Sequence, residues 1–517
     1  MGRSVCSSRK TSKVQTLSGH LLRALNGGSP HPCIADFLLG FHFFSAQMEK
    51  ANHYKRTLLL IILITCVFII FHLRSPRSNG FIPKRRGPRY VCKPLITEQT
   101  ITPLKNTKHL LVSAFMDQRV KGFDVRIIGM FLRDSIQPLY CLFCCSGHLN
   151  GTKPAMVLPH TDHFGFPFGA TDVMCQLPKN CDVSHVTLLT RPSTRDVSDL
   201  SWIPVKNKKT RGKDELTENF TVCISTLFGK YNNVLQFAQS LEMYRGTTEI
   251  ILPPCNIAWF SSCSTEDKMI AEKWLLGVNR VVIYNNSCGP DLEHLLQSYV
   301  QEGFVEMVPW PIDKHMNPSH GWQRSQSEGD IHYFGQLTTL NECIYRSMNR
   351  SRYVLLNDID EIIMPYMHNN LMSLMDRLQP LHPDVGVFLI ENHVFPKKYF
   401  DPSGKFHLPQ WRGVPGINIL EHIYREDPDR DIYHPYKMIV QPRMVEQTSV
   451  HEALKYFGKT YRVPLEVCRL IHVRVALRRS LTLEQLNVDK RLWDFQEKLI
   501  SNVDRVLGKL GFLTIKN

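Results

Sequence analysis

The second half of the chain has no Gly-x-Gly-x-x-Gly motif after its first strand-like segment, and the chain has no Walker motif. Dinucleotide-dependent oxidoreductases and P-loop nucleotide hydrolases therefore lose their main support. The composition and the absence of internal repeats argue against a disordered protein or a solenoid. The net charge of +15 is carried by scattered Lys and Arg residues, without zinc-finger spacing or an RNA-binding aromatic signature. We expect no nucleic-acid partner, and 517 residues suffice for two ordinary domains.

One uncharged apolar run, residues 57–73, is at the short end of what spans a bilayer. It exceeds the apolar part of a typical signal peptide, and Arg74 to Arg77 lack the small-residue cleavage pattern. A single transmembrane signal anchor is therefore favoured over a cleaved signal peptide. Residues 1–56 would form a cytosolic tail, with Met48 as an alternative start, and residues 74–107 a stem. Basic residues flank the run on both sides, so charge does not settle its orientation.

The orientation is predicted from features of the part that follows the run. It holds twelve of the fifteen cysteines and four N-glycosylation sequons, which suit an oxidising, lumenal compartment. A type II protein of the Golgi membrane is therefore expected, since the span is short. Cysteine pairing cannot be deduced, and a zinc site at Cys141, Cys144 and Cys145 would lack a second well-spaced pair. The predicted glycosylation sites are Asn150, Asn219, Asn285 and Asn349.

Residues 108–215 contain short strand-like runs separated by Pro and Gly turns and end in a polar linker. This pattern predicts a β-rich module in front of the catalytic part. The predicted strands are 110–115, 125–131, 139–143 and 186–190.

From residue 216 onward, strand-like and helix-length segments alternate, which predicts an α/β domain with a mostly parallel sheet over residues 216–517. The predicted strands are 220–227, 280–284, 305–308 and 353–356. The predicted helices are 232–244, 267–276, 292–301 and 335–348.

Three carboxylates follow the last of these strands. The apolar run Tyr353 to Leu356 reads as a buried strand, and Asp358 and Asp360 should then share one face of the extended chain, with Glu361 next. The neighbouring sequence offers no group that would neutralise these carboxylates, so the pattern predicts a bound cation. Hard oxygen ligands suit Mn²⁺ or Mg²⁺, and ligands sit at the carboxyl ends of strands in such sheets. A chance match or a solvated turn is the competing interpretation of so short a motif.

Several motifs in this order resemble glycosyltransferase family 92, a family of Golgi galactosyltransferases with the GT-A fold. They are residues 220–229, 272–287, 299–303, Trp310, Gly335-Gln336, 341–343 and 357–361. The resemblance runs from about residue 218 to 480 and includes the β-rich region before it. It implies a GT-A-like Rossmann-type sheet and transfer of galactose from UDP-galactose, with Mn²⁺ (or Mg²⁺), to a terminal sugar of N-glycans. Vertebrate members act on galactose and nematode members on core fucose.

The resemblance also implies roles for single residues. Asp360 would bind the metal, Asp358 the metal or the donor, and His451 would complete the metal site, with His472 as the alternative. The donor would also contact three motif residues, Asn285, Gln336 and Asn341.

Inversion at the transferred sugar needs a general base, for which Glu361 and Glu391 are the candidates. Sugar rings could stack on Trp310, Trp322 or Trp411, although core packing is the ordinary role of a Trp. Two other classes compete with this reading: a catalytically silent, membrane-tethered sugar-binding protein, and a transferase that uses another UDP-sugar.

Overall fold

The computed structural model describes residues 54–55, 58–69, 92, 99–192, 200–208, 216–245, 275–431, 435–476 and 481–513. The chain divides into two units, Met1–Gly87 and Pro88–Asn517. In the first unit, residues 58–69 are helical. Within the described ranges, no helix is long and apolar enough to cross a membrane. The ends of the predicted span, nearly all of the tail and most of the stem lie outside these ranges, so the anchor stays a prediction.

The second unit begins with a sheet of nine strands, in the order β5-β4-β8-β9-β2-β3-β7-β6 with β1 beside β2. Most neighbouring strands are antiparallel, and the four strands predicted in residues 108–215 are confirmed as β2, β3, β4 and β8. The strands are β1 Thr102–Pro103, β2 Leu110–Met116, β3 Val125–Leu132, β4 Tyr140–Cys145, β5 His148–Pro154, β6 Met156–Pro159, β7 Phe168–Cys175, β8 Val183–Leu189 and β9 Ile203–Lys206.

A second sheet follows, in the order β12-β11-β10-β13-β17-β15-β21-β14, with β20 beside β15. Two short ladders, β16 with β22 and β18 with β19, stand apart from it. The strands are β10 Glu218–Leu227, β11 Arg280–Asn285, β12 Val305–Pro309, β13 Ser351–Leu356, β14 Glu361–Pro365, β15 Val385–Pro396, β16 Tyr424–Arg425, β17 Tyr436–Val440, β18 Val445–Thr448, β19 Ala453–Tyr456, β20 Lys459–Arg462, β21 Cys468–Arg474 and β22 Asn487–Val488.

Helices alternate with the first strands of this sheet, as the sequence predicted. The predicted helix 267–276 lies almost entirely outside the described residues. The α-helices of the second unit, as far as it is described, are α1 Val234–Tyr244, α2 Pro290–Gln301, α3 Gln336–Ser347, α4 Leu371–Leu381 and α5 Gln496–Lys509. Short 3-10 helices are Arg133–Ser135, Ile312–Lys314, Pro409–Trp411, Ile419–Glu421, Pro442–Met444, Leu483–Gln485 and Arg491–Phe495, and His332–Gly335 form a turn whose backbone is not helical.

Most neighbours in the second sheet are parallel, which gives its strands a common carboxyl edge. β10 runs parallel to both β11 and β13, and β15 runs parallel to β21. β17 and β14 are reversed, so the sheet is mixed. β10 and β13 are buried on both faces, as apolar strands of parallel sheets are. Their ends bring the segments after Leu227 and Leu356 to one edge, where ligands bind in sheets of this kind.

The two sheets share a core through helix α3. Met130 and Phe168 of the first sheet belong to the same buried cluster as Leu337, Leu340 and Ile344 of α3. A disulfide between Cys223 and Cys343 fastens α3 to β10. The predicted division at residue 215 thus falls between two sheets that pack as one unit.

Candidate active site

Asp358 and Asp360 lie in a tight turn that follows β13. The Glu361 N–H donates to the Asp358 carbonyl, which closes the turn, and the buried Asn357 amide donates to the Glu361 carbonyl at 2.9 Å. The two aspartates therefore reach the same side through a turn and not through the strand-like alternation that the sequence suggested. Their side chains are 35% and 29% exposed.

Both aspartates line a cleft of about 450 Å³ at the carboxyl edge of the second sheet. The walls come from the end of β10, the start of α3 and the end of β21. Gln336 donates to the Ser225 hydroxyl at 3.0 Å, and Ser225 in turn donates to Asp358 at 3.2 Å. Other cleft residues include Tyr231, Tyr333, Lys397, Ile417, His472 and Arg474.

Two buried basic side chains, Lys437 and His472, lie beside the carboxylates. The Lys437 ammonium lies 3.0 Å from Asp358 Oδ2 and 3.2 Å from Glu361 Oε2. His472 Nε2 lies 3.1 Å from Asp360 Oδ2, and its Nδ1 lies 3.2 Å from Glu361 Oε1. The expectation that nothing neutralises this group is therefore wrong, because strands β17 and β21 bring the partners from far along the chain.

The pKa shifts of these groups follow from burial and from their neighbours. Burial would raise the pKa of Asp358, but Lys437 outweighs it and lowers the pKa below its usual value. Burial raises the pKa of Glu361 despite Lys437, helped by the charge of Asp358. Burial would lower the pKa of His472, but Asp360 and Glu361 raise it. At Asp358 and His472, neighbours of opposite charge thus outweigh the effect of burial on the pKa.

The donor set of the cleft fits a divalent cation shared with a diphosphate. Across the described ranges no group of three or more His, Cys, Asp or Glu side chains is arranged to hold a metal. Asp358 and Asp360 nevertheless present carboxylate oxygens to the cleft, and Mg²⁺-like ions commonly use one or two carboxylates together with substrate phosphates. His472 has the Glu361 carboxylate at its Nδ1 and its Nε2 beside Asp360, and metal-binding histidines commonly have such a carboxylate at the other ring nitrogen.

Comparisons with known proteins find a family and relatives to which this chain is similar. Residues 269–508 match the model of glycosyltransferase family 92. This part of the chain is therefore similar to the family 92 glycosyltransferases. Glycosyltransferase family 92 protein F13G3.3 of Caenorhabditis elegans is 23% identical over 185 residues, which are 36% of this chain and 34% of that protein. This chain thus spans about a third of that relative's length in the match.

A second relative is matched over most of both chains. Beta-1,4-galactosyltransferase galt-1 of Caenorhabditis elegans is 19% identical over 435 residues, which are 79% of this chain and 87% of that protein. The match is longer than the family 92 domain alone.

The three motif amides predicted to bind the donor lie in different places. Gln336 lines the cleft beside Asp358. Asn341 is fully buried, and its side chain bonds the backbone of Leu337 and Thr448, so it fastens α3 to β18. Asn285, at the end of β11, donates to Glu293 at 3.2 Å and does not line the cleft. The structure thus brings only Gln336 of the three to Asp358.

Neither candidate for the general base lines the cleft. The Glu361 side chain is 1% exposed, and both of its oxygens accept hydrogen bonds, from the Asp358 N–H and from Asn392. Glu391 is held by Arg430 at 2.6 and 2.8 Å and by His393 at 3.1 Å. Burial would raise its pKa, but His393 and Arg430 lower it to about 2. Both carboxylates have structural partners that account for their positions.

The two candidate histidines are both near the aspartates. His472 contacts Asp360 directly and lines the cleft. His451 Nδ1 lies 2.9 Å from the Tyr436 carbonyl, and its ring packs 5.6 Å from the Trp322 ring. Its charge reaches Asp358, where it helps to lower the pKa after the larger effect of Lys437. The geometry therefore favours the alternative, His472, as the histidine of the site.

The three candidate tryptophans do not line the cleft. Trp310 and Trp411 are buried, and their indole N–H groups donate to the Phe334 carbonyl at 2.8 Å and to Asp504 at 2.6 Å. Trp322 is half-buried and packs on Phe164. The first two are core residues, as is usual for Trp.

The cysteines and sequons are also placed. Three disulfides belong to the first sheet, Cys92–Cys144, Cys141–Cys175 and Cys145–Cys181, so the conceivable zinc site is excluded. Among the sequons, Asn150 and Asn349 are exposed, whereas Asn219 and Asn285 are half-buried within strands.

Sequence reasoning missed most of the cleft wall. Tyr231, Tyr333 and Arg474 lay in no motif, and Ser225 lay in the motif 220–229 without a role assigned to it. Lys437 carried a usable signal, because a lysine inside the buried run Tyr436–Val440 needs an acidic partner.

Proposed function

We propose that this protein is a metal-dependent, inverting galactosyltransferase with a GT-A-like catalytic domain that uses UDP-galactose. The observation that carries the proposal is the Asp358 and Asp360 pair, which lies in the part of the chain that matches family 92 and opens into a cleft at the carboxyl edge of the sheet. The name of galt-1, matched over most of both chains, supports galactose as the transferred sugar.

The residues of the cleft suit the departure of a nucleoside diphosphate. Asp358, Asp360 and His472 would hold Mn²⁺ or Mg²⁺. That ion would stabilise the negative charge that develops on the leaving diphosphate. Lys397 and Arg474 line the same cleft and add positive charge where the diphosphate would lie. The Ser225 and Gln336 chain would orient Asp358, and Lys437 would keep it ionised.

The compartment and acceptor belong to the proposal as well. Four disulfides and two exposed sequon asparagines in the second unit support a lumenal location. Residues 57–73 would then be the anchor of a type II Golgi membrane protein. The acceptor would be a terminal sugar of an N-glycan, β-galactose in the first instance and fucose as the alternative.

The test uses residues 77–517, secreted behind a cleavable signal and purified without added metal. UDP release and galactose transfer are measured with Mn²⁺, with Mg²⁺ and with excess EDTA. The acceptors are N-glycans that end in β-galactose and N-glycans that carry core fucose. We expect transfer that requires the metal and prefers one acceptor. UDP-glucose and UDP-N-acetylglucosamine are the control donors, and an enzyme that releases UDP from no nucleotide sugar would instead be a sugar-binding protein.

A further inference from the structure

Two consecutive aromatic residues beside the cleft have left-handed backbone conformations. Tyr333 has φ 39° and ψ 57°, and Phe334 has φ 55° and ψ 29°; Gly335 follows with φ 78°. Bulky side chains in this region of conformational space carry a steric cost that glycine avoids. Such strain persists where the surrounding structure imposes it, and it concentrates at functional sites.

The surroundings explain Phe334. Its carbonyl accepts hydrogen bonds from the Trp310 indole at 2.8 Å and from the Thr226 hydroxyl at 3.2 Å. Its buried ring stacks on Phe228, with centroids 4.1 Å apart and planes 7° apart. Core packing therefore offsets the strain at Phe334.

Core packing does not explain Tyr333 in the same way. Its ring is half-buried and lines the cleft, and the rings of Phe228, His332 and Trp322 lie 5.5, 5.7 and 6.5 Å from it between centroids. Across the described residues its hydroxyl makes no hydrogen bond. Burial raises the pKa of that hydroxyl, and Asp358 raises it further. The phenol therefore keeps its proton and can donate a hydrogen bond near the aspartates. A glycine or an asparagine would satisfy the backbone at lower cost.

We propose that Tyr333 contacts the donor nucleotide sugar in the cleft, at the junction of its diphosphate and its sugar. The inference rests on the proposed function. The ring offers an apolar face to the sugar, and the hydroxyl can donate to a phosphate or sugar oxygen. Tyr333 is then a positioning residue for the donor, held in place by the backbone that Phe334 anchors.

The experiment compares Tyr333→Gly and Tyr333→Asn with the wild type. Binding of UDP-galactose with MnCl₂ is measured by calorimetry without acceptor, and KM values for donor and acceptor are measured separately. Because glycine relieves the strain, we expect a melting temperature at or above that of the wild type. Loss of the ring should raise the Kd and the KM for UDP-galactose roughly tenfold, the scale of one aromatic contact, and leave the acceptor KM unchanged.

Ser146→Gly is the matched control, because Ser146 is also left-handed, with φ 47°, but is exposed on the first sheet. It should not change UDP-galactose binding. Unchanged UDP-galactose binding in Tyr333→Gly would overturn the inference. So would a melting temperature that falls in both Tyr333 variants, since the ring would then be part of the packing. A wild type that neither binds nor transfers UDP-galactose would refute the proposed function instead.

Discussion

The carboxylates around Arg126 and those at the cleft, two groups of three among the described residues, differ in what surrounds them. In the first, Asp117, Asp172 and Glu446 all accept hydrogen bonds from the guanidinium of Arg126, at 2.6 to 3.0 Å. Arg126 and its three partners are almost completely buried. This group joins the first sheet to strand β18. In the second, Lys437 and His472 compensate Asp358, Asp360 and Glu361 from behind only.

This difference in surroundings distinguishes a structural cluster from a candidate active site. Around Arg126 the planar guanidinium donates to all three acids, and their side chains are at most 3% exposed. At the cleft, two of the three acids keep oxygen atoms accessible. Acidic composition alone therefore says little, and the accessible face of the carboxylates is the feature that indicates chemistry.

The largest expected effect is on the buried cluster. Arg126→Leu would leave three buried carboxylates without their common cation. Breaking a buried ion pair from one side typically costs about 3–5 kcal/mol, so we expect a loss of that order in the free energy of unfolding. Urea denaturation followed by circular dichroism measures it.

The control is the exposed pair of Lys459 with Asp384, 2.8 Å apart. Lys459→Leu should leave the unfolding midpoint unchanged, because solvent screens such a pair. Equal midpoints for wild type and Arg126→Leu would show that the cluster does not hold the sheets together.

The second effect is on stability, which should depend on pH with opposite sign in the two groups of carboxylates. Burial would raise the Asp172 pKa, but His160 and Arg126 outweigh it and lower the pKa from 3.8 to about 2. The stability that this lowered pKa contributes is present above pH 3.8 and is lost as the pH falls through about 2. It amounts to about 2 kcal/mol. The advantage of wild type over Asp172→Asn in urea unfolding should shrink in that window.

Glu361 should behave in the opposite way. Folding raises its pKa, so the folded state binds its proton more readily and wild type should gain stability over Glu361→Gln as the pH falls. A gain with rising pH would mean that Lys437 and His472 dominate the energetics of Glu361.

The smallest expected effect separates the two histidines. His472→Ala should raise the Mn²⁺ concentration for half-maximal activity by roughly tenfold, within the range seen when the support of a metal site is removed. His451→Ala should leave that concentration nearly unchanged, because its Nδ1 is engaged with the Tyr436 carbonyl. The reverse order in Mn²⁺ titrations would restore His451 as the ligand.

The sequence predicted what depends on local pattern. The apolar run before Asn357 indicated a buried strand, and the alternation of elements indicated a largely parallel sheet, so the position of Asp358 and Asp360 at its edge followed. It could not predict the partners of these acids. Lys437 is 79 residues from Asp358, and His472 is 112 residues from Asp360. Both arrive through the register of antiparallel pairs, such as Glu361 opposite His472.

The cysteine pairings and the two motif amides away from the cleft show the same limit. Twelve cysteines have too many possible pairings for spacing to decide. Asn341 lies in a motif of the family, yet its partners are Leu337 in its own helix and Thr448 in β18. A motif therefore identifies the family without assigning a contact to each of its members.

Under the proposed function, Asp360 acts in catalysis and not in folding. The direct test is Asp360→Asn, with turnover of UDP-galactose across a Mn²⁺ titration and the melting temperature measured on the same preparation. Because the side chain is partly exposed and its hydrogen bond among the described side chains is with His472, the melting temperature should hardly change. Turnover should fall by at least roughly 100-fold, as when a main electrostatic stabiliser is removed. A folded Asp360→Asn enzyme with near-normal, Mn²⁺-dependent turnover would contradict the account.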